Sequence, residues 1–262
     1  MKGWISNSPA YAYLILALGF IYLPVIVLVV FSFQDGLLPV PPFNGPSLQW
    51  YEKMFENERL VDSLFNSVVV AVLSSLVTTV LGFLAAYGMS KRNYRFAGAI
   101  RFTLMAPLTV SYLIIGIGLL ITLNLLGVSK SLFAVGIGHA VINLPLCFAI
   151  IYSQFGDHLK NIDAAARDLG ASDLQTVLRV IAPIMKPSLI AAFCLSATLS
   201  WDEFIVAFLL SRFDVTLPVI IFEMLRAGLT PEVNAAGTVV FAISFAVVTL
   251  AAGAVLMGTR TK

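Results

Sequence analysis

Long apolar stretches separated by short polar connections dominate the pattern of this chain. Charged side chains are absent from residues 3–34, 63–90, 102–129, 131–156 and 233–259. A sixth apolar stretch, 188–210, contains only the adjacent pair Asp202 and Glu203 as charges. Because about 20 apolar residues cross a hydrocarbon core as a helix, each stretch is long enough to do so. The pattern predicts an all-α polytopic membrane protein with six transmembrane helices.

Composition supports this prediction and excludes other classes of protein. Of the 262 residues 59% are hydrophobic and 11% are charged, and the mean hydropathy is +0.94. A net charge of +2 without a basic stripe argues against a nucleic-acid partner. Cys147 and Cys194 lie in apolar stretches without metal-ligand spacing, so neither a metal site nor a disulfide is expected. The first stretch is too long for a signal-peptide core and predicts a retained membrane helix.

The distribution of positive charge predicts the orientation of the chain. A cytoplasmic N-terminus places eleven of the sixteen Lys and Arg residues on the inner side, where short loops retain positive charge. Both termini are then cytoplasmic, and 1–262 forms a single transmembrane domain. Residues 35–62 form an external loop rich in proline that ends in a short surface helix. Residues 212–232 form a second external connection.

The longest cytoplasmic loop, 157–187, contains two predicted short helices. An Ala-rich helix over 164–169 is stopped by Gly170, because glycine readily adopts the left-handed conformation that closes helices. Ser172 and Gln175 form a capping box that starts the second helix, which ends at Pro183. One apolar stripe on this helix contains Leu174, Val177, Leu178 and Ile181. Such a pair of helices either rests on the bilayer surface or docks on a partner.

The sequence of this loop resembles the cytoplasmic coupling loop of binding-protein-dependent ABC importers. The family pattern is Glu-Ala-Ala, three residues, Gly, nine residues, Ile, one residue, Leu-Pro, and it is matched here by Ala165, Ala166, Gly170 and Pro183. Small alanines allow close seating in a partner, and a rigid helix pair transmits the partner's motion. The predicted coupling residues are Asp163, Ala164, Ala165, Ala166, Arg167, Asp168, Gly170, Ala171, Ser172 and Pro183.

The chain departs from the family pattern at three positions. Ala164 stands where the family has glutamate, Val180 where it has isoleucine, and Ala182 where it has leucine. Asp163 or Asp168 is a candidate substitute for the lost carboxylate. Docking on a partner is still expected.

The resemblance extends over the whole chain and is strongest with the second permease of the spermidine/putrescine branch. The matching features are Leu48, Trp50 and Tyr51 after the proline-rich loop, the basic turn at Lys91 and Arg92, and the segment Ser200-Trp201-Asp202-Glu203-Phe204. The last segment is similar to the Ser-x-Asp-Asp/Glu-Phe element of those permeases. The resemblance implies that the solute is a polyamine. Opines, phosphonates and amino-acid derivatives are alternatives within the same importer class.

The resemblance also implies the partners of the chain. They are a second homologous permease chain, two cytoplasmic ATP-binding subunits, an external solute-binding protein and the lipid bilayer of a bacterial cytoplasmic (inner) membrane. The sequence has no Gly-x4-Gly-Lys-Ser/Thr phosphate loop, so ATP and Mg are expected at the partner ATPases. The chain itself is expected to bind no cofactor and to be a permease, not an enzyme.

The acidic pair is the main candidate for contact with the solute. An intramembrane carboxylate costs about 2.5–3.5 kcal/mol on insertion scales, so it usually faces a water-filled path or a partner group. The predicted pathway residues are Trp201, Asp202, Glu203 and Tyr112. Adjacent residues lie about 100° apart on a helix, and Asp202 is the first choice for the pathway. A structural role for both carboxylates is the alternative.

Two other function classes fit the sequence less well. A secondary transporter predicts inverted repeats and several intramembrane charges, whereas this chain has one acidic pair. An intramembrane serine protease requires a paired nucleophile and base, and His139 has no adjacent serine motif. His139 is expected to pack or to form an interhelical hydrogen bond.

Overall fold

Helices account for all regular secondary structure in the described residues of the computed structural model, which are 8–91, 95–228 and 230–260. This confirms the all-α prediction. The helices are α1 Ser8–Ser32, α2 Gln49–Glu56, α3 Glu58–Lys91, α4 Ala97–Met105, α5 Tyr112–Leu125, α6 Leu132–Tyr152, α7 Asp157–Asp168, α8 Asp173–Ile184, α9 Lys186–Trp201, α10 Ile205–Leu210, α11 Leu217–Ala227 and α12 Pro231–Arg260. Contacts divide them into two compact units. The first comprises residues up to Val61 together with Ile221–Ile243, and the second comprises Asp62–Ile220 and the residues from Ser244 onward.

Three described helices are long and apolar enough to cross a membrane: Tyr11–Ser32, Glu58–Lys91 and Leu132–Tyr152. The number rises to five if each of two bent helix pairs counts as one span. The sixth predicted span lies in α12, of which Pro231–Ala246 is described as a shorter apolar helix. The count of six therefore stays a prediction.

The third predicted span, 102–129, is not one straight helix. The segment from Ala97 to Thr109 meets α5 at 108°. A 3₁₀ turn over Ala106–Thr109 contains Pro107, which has no N–H group to continue the helical bonding. Ser111 then caps α5 by accepting a hydrogen bond from the Leu113 N–H.

The fifth predicted span, 188–210, is also interrupted. Helix α9 ends at Trp201, and the short helix α10 begins at Ile205. Asp202 and Glu203 therefore lie in a break between two helices and not within a continuous helix. We call residues 202–204 the acidic break.

In the first unit, the proline-rich loop is fastened to the end of α1. The Trp50 Nε1–H donates to the Gln34 carbonyl at 2.7 Å, and the Tyr51 hydroxyl lies 2.7 Å from Ser32 Oγ. Gln34 Nε2 donates to the Pro42 carbonyl at 3.0 Å. The loop followed by a short helix matches the form predicted for 35–62.

In the second unit, α6 packs against α9, and α10 packs against both α5 and α6. Glycines allow the close approach of α10. A Cβ on Gly116 would lie 2.6 Å from Leu209 Cδ1, and a Cβ on Gly138 would overlap the Val206 side chain. The tight packing holds the acidic break in one position beside α6.

Candidate functional site

The predicted coupling loop folds as a hairpin of α7 and α8, which we call the coupling hairpin. Helix α7 begins at Asp157, seven residues earlier than predicted, and ends before Gly170 as predicted. Gly170 has φ +85°. Its N–H donates to the Arg167 carbonyl at 2.8 Å, and the Ala171 N–H donates to the Ala166 carbonyl at 3.0 Å. These two bonds form a Schellman motif, which closes α7.

The second arm begins as predicted but continues differently. Ser172 and Gln175 form the predicted capping box. The helix then widens to π geometry over Thr176–Ile181 and ends at Ile184, so Pro183 does not end it. Pro183 has no N–H to donate to the Arg179 carbonyl, which favours wider turns before it. The predicted apolar stripe therefore splits into two pairs: Val177 and Ile181 are buried, whereas Leu174 and Leu178 are exposed.

Five side chains join the coupling hairpin to the end of α3. Tyr87 OH donates to Asp163 Oδ1 at 2.6 Å, and Arg167 Nε donates to Asp163 Oδ2 at 2.9 Å. Arg167 Nη2 lies 2.5 Å from Asp173 Oδ1, and Lys91 Nζ lies 3.0 Å from the same oxygen. We call these residues the Tyr87 network. They line a cleft of about 680 Å³ together with residues that include Phe155, Leu159 and Ala164.

The outer face of the coupling hairpin is apolar and exposed. Leu169 is 89% exposed, Leu174 67% and Leu178 59%. Ala164 lines the cleft but is also exposed, and Ala165 and Asp168 are exposed as well. Asp163 lies in the cleft and is bonded to its neighbours, so it does not belong to this outer face.

Glu203 is buried and caps α10. Its Oε1 and Oε2 each accept from the Val206 N–H at 3.0 Å, and Oε2 also accepts from the Ala207 N–H at 3.1 Å. A carboxylate at this position satisfies N–H groups that have no partner within the helix and opposes the positive end of the helix dipole. This capping explains why the chain can break after Trp201 and resume a helix at Ile205.

Three further polar residues complete a buried cluster around Glu203. His139 Nε2 lies 3.3 Å from Glu203 Oε2, and His139 Nδ1 lies 2.6 Å from Ser200 Oγ. Ser200 Oγ in turn lies 3.1 Å from Ser74 Oγ on α3. We call Ser74, His139, Ser200 and Glu203 the buried polar cluster. It joins α3, α6 and α9 and confirms the expected interhelical hydrogen bond of His139.

The other predicted pathway residues occupy different surroundings. Asp202 is exposed at the C-terminal end of α9, and Trp201 beside it is buried. Tyr112 is half-buried at the start of α5, and the described hydrogen bonds do not connect it to the acidic break. The sequence reasoning missed Ser74 and the approach of His139 to Glu203. A histidine within a charge-free stretch was the available signal, but nothing in the sequence pairs it with a residue 64 positions later.

No group of three or more His, Cys, Asp or Glu side chains within the described residues is placed to hold a metal ion. The prediction that the chain binds no metal or cofactor stays a prediction.

Comparisons with known proteins assign the chain to a family. Residues 78–258 match the family described as binding-protein-dependent transport system inner membrane component. The chain is 28% identical to the spermidine/putrescine transport system permease protein PotC of Haemophilus influenzae over 240 residues, which are 91% of this chain and 93% of that protein. It is 27% identical to the putrescine transport system permease protein PotI of Escherichia coli over 235 residues, 87% of this chain and 83% of that one.

Solved structures show the same fold. A bacterial ABC transporter involved in the import of the acidic polysaccharide alginate matches with a TM-score of 0.69 and 21% identity, covering 97% of this chain and 96% of that one. The MetNI methionine ABC transporter in an inward-facing conformation matches with a TM-score of 0.56 and 17% identity, covering 77% of this chain and 98% of that one. The chain belongs to the binding-protein-dependent transport system inner membrane components, which are the membrane permeases of ABC importers and not enzymes.

Proposed function

We propose that this permease carries a polyamine of the spermidine or putrescine type by alternating access driven by separate ATPases. It forms half of the translocation pathway with a second homologous permease chain. Two cytoplasmic subunits bind ATP and Mg, and an external solute-binding protein delivers the solute. The names of the relatives PotC and PotI support the substrate class.

The main observation that supports this proposal is the exposed carboxylate of Asp202 at the acidic break. Glu203 neutralises the N-terminal end of α10. The C-terminal end of α9 has the opposite polarity, because its last carbonyl groups point toward the break. Asp202 adds a full negative charge at that end and remains exposed. Broken membrane helices whose C-terminal ends face a cavity are suited to cations.

The outer face of the coupling hairpin is proposed to dock on the ATPase. Leu169, Leu174 and Leu178 supply apolar area, and the exposed alanines allow close approach. Asp168 lies one turn after Ala164 on the same face of α7 and is exposed. Asp168, and not Asp163, is therefore the candidate substitute for the family's glutamate.

The coupling hairpin is assigned to the cytoplasmic side together with both termini. The support is the excess of Lys and Arg in the loops of that side. The loops 35–62 and 212–232 then face outward.

Co-purification tests the docking step. A tagged chain extracted from its native membrane in mild detergent is expected to bring down an ATPase and a second permease. The double variant Leu169→Ser with Leu174→Ser should lose most of the ATPase. The matched control is Leu37→Ser with Leu38→Ser, two exposed leucines in the proline-rich loop, and it should retain the ATPase. An eluate with a solitary chain and no ATP hydrolysis would instead support a secondary transporter.

Uptake of labelled spermidine or putrescine tests the substrate. Asp202→Asn should lose most uptake while still assembling with the ATPase. The control is Asp157→Asn, which changes an exposed carboxylate on α7 and should transport normally. Unchanged uptake by the Asp202 variant would contradict a pathway role. An intact, ATP-hydrolysing wild-type complex that takes up neither polyamine would point to another organic solute.

A further inference from the structure

We propose that the Tyr87 network is a permanent clamp that makes the coupling hairpin and α3 move as one rigid body. The clamp rests on the proposed coupling function, because it assigns to α3 the helix motion that the ATPases would drive. Tyr87 and Lys91 are positioning residues in this scheme. Tyr87 acts through Asp163 and Arg167, and Lys91 acts through Asp173.

The polar links cross between three helices. From α3, Tyr87 OH donates to Asp163 on α7 and lies 3.4 Å from Arg167 Nη2, while Lys91 reaches Asp173 on α8. Arg167 also contacts both aspartates. Each arm of the hairpin is thus bonded to α3 and to the other arm. Charge-assisted hydrogen bonds of this kind are short and directional, so they fix orientation as well as distance.

An apolar layer lies directly beneath these polar links. The Tyr87 ring centroid is 6.4 Å from that of Phe83 and 6.2 Å from that of Phe155. Leu159 of α7 and Ile181 of α8 belong to the same buried cluster as Tyr87. The hairpin is therefore packed onto α3 by side chains from both of its arms. Packed layers of this density resist continuous deformation, which favours motion as a unit.

Helix α3 connects the clamp to the acidic break. Tyr87 and Ser74 lie thirteen residues apart on a helix without internal proline, a distance of about 20 Å along its axis. Ser74 contacts Ser200, which contacts His139, and His139 lies against Glu203. A displacement of the hairpin is therefore passed along one continuous helix to the residues that hold Asp202 in place. The clamp, one continuous helix and the three contacts of the buried polar cluster form this path.

Distance measurements between spin labels test the clamp. The labels are attached at Leu84→Cys on α3 and His158→Cys on α7, two exposed positions, after Cys147→Ala and Cys194→Ser. In the complex reconstituted with its co-purified ATPase, we expect one narrow distance distribution that is the same without nucleotide and with ATP trapped. The double variant Tyr87→Phe with Lys91→Ala removes all three described polar links between α3 and the hairpin. It should at least double the width of the distribution.

The matched control is Tyr152→Phe with Lys186→Ala. It removes the same chemical groups, but the Tyr152 hydroxyl bonds to Arg101 on α4, outside the Tyr87 network. The control should retain the narrow distribution. A wild-type distance that changes between nucleotide states would overturn the clamp, and so would an unchanged width in the double variant of the network. If no ATPase co-purifies, the proposed function fails, but the widths measured in liposomes still decide whether the clamp exists.

Discussion

The two polar assemblies of the second unit differ in their exposure to water. In the buried polar cluster, His139 is 0% and Glu203 6% exposed. In the Tyr87 network, the Lys91 side chain is 27% and the Asp173 side chain 74% exposed. Buried polar groups are expensive to leave unpaired, whereas exposed ion pairs contribute little. The fold of the membrane helices therefore depends more on the first assembly, whereas the second fixes the orientation of the coupling hairpin on α3.

Removal of the buried carboxylate should give the largest effect. Glu203→Ala leaves the first N–H groups of α10 uncapped and His139 without its acidic neighbour. Two buried N–H groups, of Val206 and Ala207, then lose their acceptor, which costs about 1–3 kcal/mol for each. The melting temperature of the detergent-solubilised protein should fall by roughly 10 °C. The melting temperature of the Glu203→Gln variant should fall less, because the glutamine amide oxygen can still accept from the Val206 N–H.

The matched control for this experiment is the adjacent carboxylate. Asp202 is exposed, so Asp202→Ala should leave the melting temperature nearly unchanged. Equal losses in the two variants would contradict the different roles assigned to these neighbours.

A backbone substitution at the turn of the coupling hairpin should rank second. Gly170→Ala places a Cβ in open space but at φ +85°, which costs roughly 1–2 kcal/mol for an L-residue. Amide exchange at the end of α7 should become roughly tenfold faster. Gly156→Ala, at the other end of α7, also meets open space, but φ there is −93°. Exchange at the Gly170 end of α7 should be no faster in that variant than in the wild type, and an equal effect there from both substitutions would exclude the φ explanation.

The coupling hairpin could be predicted from the sequence because its signals are local. Gly170 closes one helix, and Ser172 with Gln175 opens the next, all within six residues. The acidic break could not be predicted in this way. Its capping carboxylate lies against His139 of another helix, and the apolar pattern from 188 to 210 is the same for a continuous and a broken span. The bend near Pro107 could not be predicted from the proline alone, since neighbouring helices decide how such a residue is tolerated.

Ser74, on the helix that joins the two assemblies, should give the third largest effect. Ser74→Ala on α3 removes the contact with Ser200 and should cost about 0.6–1 kcal/mol, as interhelical hydrogen bonds in membranes usually do. Ser75→Ala is the control on the next residue, because the Ser75 hydroxyl is buried without a partner among the described residues. That variant should be neutral or stabilising. The measurement is the melting temperature in detergent. If Ser75→Ala lowered it and Ser74→Ala did not, the hydrogen bond to Ser200 could not be assigned to Ser74.

The smallest effect is expected from the exposed ion pair between Lys91 and Asp173. A double-mutant cycle with Lys91→Ala and Asp173→Ala should give a coupling free energy of about 0.5 kcal/mol or less at low salt, because the pair is largely solvated. The value should approach zero near 1 M salt, where the screening length is about 3 Å. The same salt should leave the melting temperature difference between wild type and Glu203→Ala unchanged, since Glu203 is shielded from the solvent ions. A coupling energy at the network that resists salt would mean that water does not reach these charges and that the two assemblies are energetically alike.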